Sequence, residues 1–145
     1  MSPLLAAQAV DFATWAFTQN YTAIADVASH PMLIQMAKRM FDKTRQKSAL
    51  KFVLYSGHDS TVTPLLINLG VHDDTRLTPY ATGVVFELWR DTLVDTSAQK
   101  DSADGFYFRV LVNGEVVTNK MKFCGDSLLK DELCPVRELI SWLSD

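Results

Sequence analysis

Long apolar runs are missing from this 145-residue chain. None approaches the roughly 20 residues that a membrane-spanning helix requires, so no bilayer-crossing segment is expected. Residues 1–10 are apolar enough to suggest a secretory leader. They lack a basic stretch ahead of the apolar one, and Gln8 and Asp11 interrupt it. They read as the start of a helix, and the leader of a secreted parent would lie upstream. Basic clusters are missing too. Fourteen Lys and Arg stand against seventeen Asp and Glu, a formal net charge of −3, with no basic stripe to meet a nucleic acid. A phosphate ester remains a feasible ligand, since a small basic pocket needs no basic surface. Histidine is scarce. His30, His58 and His72 are the only three, and both cysteines lie far from all of them in sequence, so no zinc site is expected. A Gly-x-Ser-x-Gly elbow, a P-loop and a dinucleotide fingerprint are all absent. So are internal repeats, low-complexity tracts and linkers.

What is present is an ordinary globular balance, 48% hydrophobic and 21% charged residues. The length suits one domain. Residues 1–46 read as a helical segment and 47–145 as an α/β portion. Phe12, Trp15, Ala16 and Phe17 have helical spacing within residues 4–18. Residues 20–29 read as a connection with a short helical turn. Pro31 then suits a first helical turn, and Leu33, Met36, Ala37, Met40 and Phe41 form one apolar face. Lys51-Phe52-Val53-Leu54-Tyr55-Ser56 is a near-continuous β-forming run of buried-strand length, and Gly57 breaks it. A helix follows over 61–69, with Pro64 in its first turn and Gly70 as its stop. Residues 72–79 are a polar loop. Strands are predicted over 81–90 and 106–112, joined by a polar loop, with Asn113-Gly114 as a turn signal. A last helix spans 135–143.

The stretch Ser56-Gly57-His58-Asp59-Ser60 carries the chemistry. A strand ends, glycine turns the chain, and two ionisable residues precede a helix. Open α/β sheets bind ligands at such a place, and a helix N-terminus suits a phosphate. A protonated His58 can neutralise phosphoryl oxygens, and a protonated Asp59 can supply a proton to a departing alkoxide. Thr61, close to the helix N-terminus, is a further candidate for holding phosphate. On spacing alone, an aspartate before a helix is more often a cap, and a lone histidine in a turn is more often simply solvated.

Leu54-Tyr55-Ser56-Gly57-His58-Asp59-Ser60-Thr61, followed by Pro64-Leu65-Leu66 and Leu69-Gly70, resembles the His-Asp segment of the histidine acid phosphatases. Pro79-Tyr80-Ala81 leading into Phe86-Glu87-Leu88, then Val110-Leu111-Val112-Asn113-Gly114-Glu115, then Cys124-Gly125 and Leu133-Cys134-Pro135, resemble later blocks of that family in the same order. The resemblance implies the C-terminal part of a phosphoglycerate-mutase-like three-layer α/β fold, its sheet incomplete without an N-terminal portion. It implies a phosphomonoesterase that works without metal or cofactor through a phosphohistidine. In it His58 clamps the phosphoryl group and Asp59 is the general acid. It implies a Cys124–Cys134 disulfide, with free thiols as the alternative, and a secretory, lysosomal or extracellular location. The sequon Asn20-Tyr21-Thr22 leans the same way. The family's nucleophile sits in an Arg-His-Gly motif, and this chain contains none. The chain alone is therefore expected to bind phosphate weakly and turn over poorly or not at all. Self-association or pairing with a missing N-terminal portion is expected as well. The alternative reading is a truncated, inactive relative that serves as a binding or interaction module.

Overall fold

A computed structural model describes residues 25–72, 78–94 and 103–144. The expected helix over 4–18 and the sequon at Asn20 lie outside these residues. The fold is α/β: among the described residues three α-helices pack with one four-stranded antiparallel sheet.

Helix α1 covers the described residues 25–44. It buries Ala25, Ser29, Leu33 and Ala37 at i, i+4 spacing, which places them on one face. The helix thus includes residues 25–29, where a connection was expected, and Pro31 lies inside it rather than in its first turn. A proline there removes one intrahelical donor. The Ser29 hydroxyl stabilises this stretch by donating to the Ala25 carbonyl at 2.7 Å and accepting from Asn68 Nδ2 at 2.9 Å. At its end Lys47 N–H bonds Asp42 O at 2.8 Å and Gln46 N–H bonds Lys43 O at 3.1 Å. That is the paired pattern of a Schellman stop, with Gln46 in the left-handed region at φ 56°.

Residues 49–58 carry no strand, contrary to the expectation for 51–56. Phe52 and Leu54 are each 78% exposed. A strand apolar on both faces needs partners along its edges and cover on both sides, and the described residues supply neither. Helix α2, Asp59–Asn68, begins two residues earlier than expected. Pro64 is therefore in its second turn, where the missing N–H leaves the carbonyl of the exposed Ser60 to solvent.

Strand β1, Val84–Arg90, pairs with β2, Phe106–Val112, in an antiparallel hairpin. On its other edge β2 meets β3, Glu115–Val116, at Leu111 and Val112, and β4, Cys134–Pro135, at Tyr107 and Phe108. Between these two short strands the Thr118 hydroxyl accepts from Val110 N–H at 2.9 Å, so the central strand keeps a partner where backbone pairing lapses. Phe106, Phe108 and Val110 alternate inward and are buried, as period-two patterning requires. They meet Leu33 and Ala37 of α1, Leu65 of α2 with Leu69 just past its end, and Val136 and Leu139 of α3, Val136–Trp142, in one core. Phe123 stacks on Trp142 with centroids 4.4 Å apart. The Cys124–Cys134 disulfide is formed, with Cα atoms 5.7 Å apart, and joins the turns after β3 to β4.

Candidate functional site

Gly57 sets the approach to the site. A Cβ at this position would lie 3.3 Å from the Thr61 Cβ, tighter than ordinary packing, so a bare backbone lets the chain fold close against the first turn of α2. His58 is extended (φ −101°, ψ 174°) and occupies the capping position of α2. Its carbonyl accepts from Thr61 N–H at 2.9 Å and Val62 N–H at 3.0 Å. Its side chain caps nothing. Asp59 is the first helical residue rather than the cap residue, although it still serves the helix start. One carboxylate oxygen accepts from Ser60 N–H at 2.7 Å. An acidic group in a first turn is favoured by the helix dipole. His58, Asp59 and Thr61 are all exposed.

The structure thus brings His58, Asp59 and Thr61 together around the open N-terminus of a ten-residue helix. The imidazole and the carboxylate have no mutual hydrogen bond or ion pair among the described residues, so both remain available to a ligand. Arg109 is engaged with Glu87 at 2.8 Å, and Arg137 lies 3.3 Å from Glu138 and 3.8 Å from Asp104. His30 and His72 take no part. His72 Nδ1 is buried without a hydrogen-bond partner among the described residues. Groups of three or more His, Cys, Asp or Glu able to hold a metal do not occur among the described residues, and Cys124 and Cys134 are spent on each other. No helix among the described residues is long and apolar enough to cross a membrane.

Two features were not singled out in the sequence. On the outer face of the hairpin Glu87 accepts from both Arg109 Nε (2.9 Å) and Trp89 Nε1 (3.1 Å), and the Arg109 guanidinium lies 5.2 Å from the Trp89 ring centre. Cavities of about 330 and 320 Å³ lie away from His58 and Asp59, the first beside Asp104, Tyr107 and Arg137, the second between the end of α1 and the end of β1. Apolar alternation marks the strands but not which charged residues face each other across them.

The model of the histidine phosphatase superfamily (branch 2) matches residues 6–113. A curated relative described as 2-phosphoxylose phosphatase 1, from Xenopus tropicalis, is 39% identical over 127 residues, covering 86% of this chain and 24% of its own length. The protein of that name from Rattus norvegicus is 34% identical over 130 residues, with 85% and 24% covered. The Homo sapiens protein is 30% identical over 125 residues, again with 85% and 24% covered. The chain spans about a quarter of the length of these relatives. No solved structure matches it.

Proposed function

The chain belongs to branch 2 of the histidine phosphatase superfamily, and from that premise we propose that it is the segment of a phosphoric monoester hydrolase, an acid phosphatase, that supplies the phosphate-clamping His58 and the general acid Asp59. The observation that carries this reading is the position of Asp59 one residue inside α2, exposed and not serving as the cap. In the complete enzyme a histidine outside this chain attacks phosphorus and the ester P–O bond breaks. The leaving alkoxide takes the proton of the Asp59 carboxylic acid. Water then attacks the phosphohistidine, gives its proton to the Asp59 carboxylate, and releases inorganic phosphate. Protonated His58 and the N–H groups opening α2 stabilise the charge on the phosphoryl oxygens.

The hydrogen bond from Ser60 N–H to Asp59 connects the two roles. A neutral carboxylic acid is a weaker acceptor than a carboxylate. The Ser60 N–H is therefore open to a phosphate oxygen when the acid form of Asp59 is the one facing the leaving group. The ligand is a phosphomonoester or inorganic phosphate. The relatives' printed name points to a phosphorylated sugar, and the disulfide fits a secretory-pathway setting, lysosomal or extracellular included. The lack of an Arg-His-Gly motif favours a second reading, an inactive relative that binds or interacts.

The deciding assay uses an aryl phosphate at mildly acid pH with the 145-residue chain, alone and as part of a longer protein that carries an Arg-His-Gly segment. Turnover only in the longer protein, lost in Asp59→Ala, supports the enzymatic reading. An intact longer protein with no turnover and full phosphate binding would replace it with the binding reading.

A further inference from the structure

We propose that the open edge of strand β1 is a docking site for a second copy of this chain, which adds residues 51–56 beside it as a further strand. β2 occupies one edge of β1, and no strand pairs along the other among the described residues. The register shows which groups are left over. Gly83 O accepts from Asn113 N–H at 2.9 Å, and Asp91 N–H donates to Gly105 O at 2.8 Å. The odd-numbered residues between them thus bond β2, and in an antiparallel pair the alternate residues turn their backbone groups the other way. Val84, Phe86, Leu88 and Arg90 therefore offer a row of N–H and C=O groups on the open edge, a ready template for another strand. The core is unfinished at the same border. Phe86 and Leu88 pack against it yet are only half-buried, whereas Phe108 and Val110 of the neighbouring strand are fully buried.

The same chain carries the matching element. Residues 51–56 are β-forming in composition, with a length close to the seven residues of β1. Their exposure already alternates. Phe52 and Leu54 are the most exposed, while Val53 and Tyr55 are more covered, the two-residue period of a strand. Within one chain this run has no strand partner among the described residues. Laid antiparallel to β1 of another copy, with Phe52 and Leu54 on the core side beside Phe86 and Leu88, it points the backbone groups of residues 52, 54 and 56 at the open edge. The same parity places Lys51 in the outer row with Val85, Glu87 and Trp89, and never directly opposite Arg90, where like charges would repel. Ser48 lines the same cavity as Leu88, Trp89 and Arg90 of its own chain, so the run starts close to its own open edge. Two copies can therefore exchange runs reciprocally over a short reach, a closed two-fold arrangement. A partner of another sequence would have to supply what the second copy already has, an apolar run with no strand of its own.

The test is sedimentation of the 145-residue chain together with hydrogen exchange. A dimer is expected, and the amides of Phe52, Leu54, Phe86 and Leu88 should exchange more slowly as concentration rises. Proline variants then separate the run from the edge. Leu88→Pro and the exposed Arg90→Pro each remove an N–H that faces away from β2, so the β1–β2 bonds stay, as edge strands allow. Leu54→Pro does the same to the run, where the single chain has no strand to break. Each variant is expected to weaken association by about tenfold or more, since it removes a backbone bond from both contacts of the pair. A monomer at every concentration would overturn the proposal. So would slow exchange at Phe86 and Leu88 that does not depend on concentration, because the edge would then be filled by residues of the same chain. Association that Leu54→Pro weakens but Leu88→Pro and Arg90→Pro leave unaltered would overturn it too, since the apolar runs would then be meeting each other.

Discussion

At the residue scale, the question is what one carboxylate does. Asp59 pairs with no cation among the described residues, and its one bond, from the exposed Ser60 N–H, is of a kind that contributes about 0.5–1.5 kcal/mol, so an asparagine that keeps an acceptor there should cost the fold little. Asp59→Asn in a complete enzyme is expected to lower kcat by about 10²–10⁴-fold for an alkyl phosphate, the range of general-acid catalysis. The loss should be much smaller for an aryl phosphate whose leaving group needs no proton. Equal losses on both substrates would sink the general-acid role. Gly57 gives a second residue-scale prediction. In Gly57→Val the side chain meets the exposed Thr61 side chain at 3.3 Å, tighter than ordinary packing, and moving one of the two off its preferred rotamer costs about 0.5–1.5 kcal/mol. Thermal unfolding should register it, and phosphate binding should weaken with it. The His58-Asp59 pair was legible because two ionisable residues follow an apolar run and a glycine. The offset between cap and first helical residue was not, since it depends on how the chain enters the helix.

At the element scale, β2 was readable residue for residue. Phe106, Phe108 and Val110 alternate with Tyr107, Arg109 and Leu111, and Asn113-Gly114 closes the strand. The Glu87–Arg109–Trp89 cluster was not readable. Glu87 sits directly opposite Arg109, a register set by the length of the connection between the strands and invisible to either strand alone. Arg109 and Glu87 are 23% and 32% exposed, so solvent screens the pair. A double-mutant cycle with Arg109→Ala and Glu87→Ala should return a coupling of only about 0.2–1 kcal/mol. The run 51–56 was misread for a related reason. Its composition describes a strand buried on both faces, but burial is a property of neighbours, and these are not among the described residues. The disulfide was indicated by family resemblance, since two cysteines ten residues apart have several fates. Replacing both Cys124 and Cys134 by Ser is expected to destabilise the chain by about 2–3 kcal/mol, the chain-entropy value for so short a loop, measured by denaturant unfolding.

At the scale of the whole molecule, the exposed run is the feature with the widest effect. Leu50, Phe52, Val53 and Leu54 are 51%, 78%, 38% and 78% exposed in one short segment with no strand partner among the described residues. Contiguous apolar surface of this kind drives association. Sedimentation of the chain should show concentration-dependent self-association, and the double substitution Phe52→Ser, Leu54→Ser should suppress it without lowering the unfolding midpoint. A monomer at every concentration would show that this run is covered in solution.

The arrangement of β2, bonded to β1 along its whole length and to β3 and β4 at separate points on its other edge, has a kinetic consequence. The β1–β2 and β2–β3 pairings close through nearby residues, whereas β4 returns to Tyr107 and Phe108 from Cys134 and Pro135, a longer loop to close. The hairpin is therefore expected to assemble first and to act as the template on which β4, with α3 behind it, settles late. In a hydrogen-exchange pulse during refolding, the Phe108 and Val110 amides should not gain protection together. Val110, whose N–H donates to the nearby Thr118 hydroxyl, should be shielded early, and Phe108 should reach full protection only when Cys134 arrives.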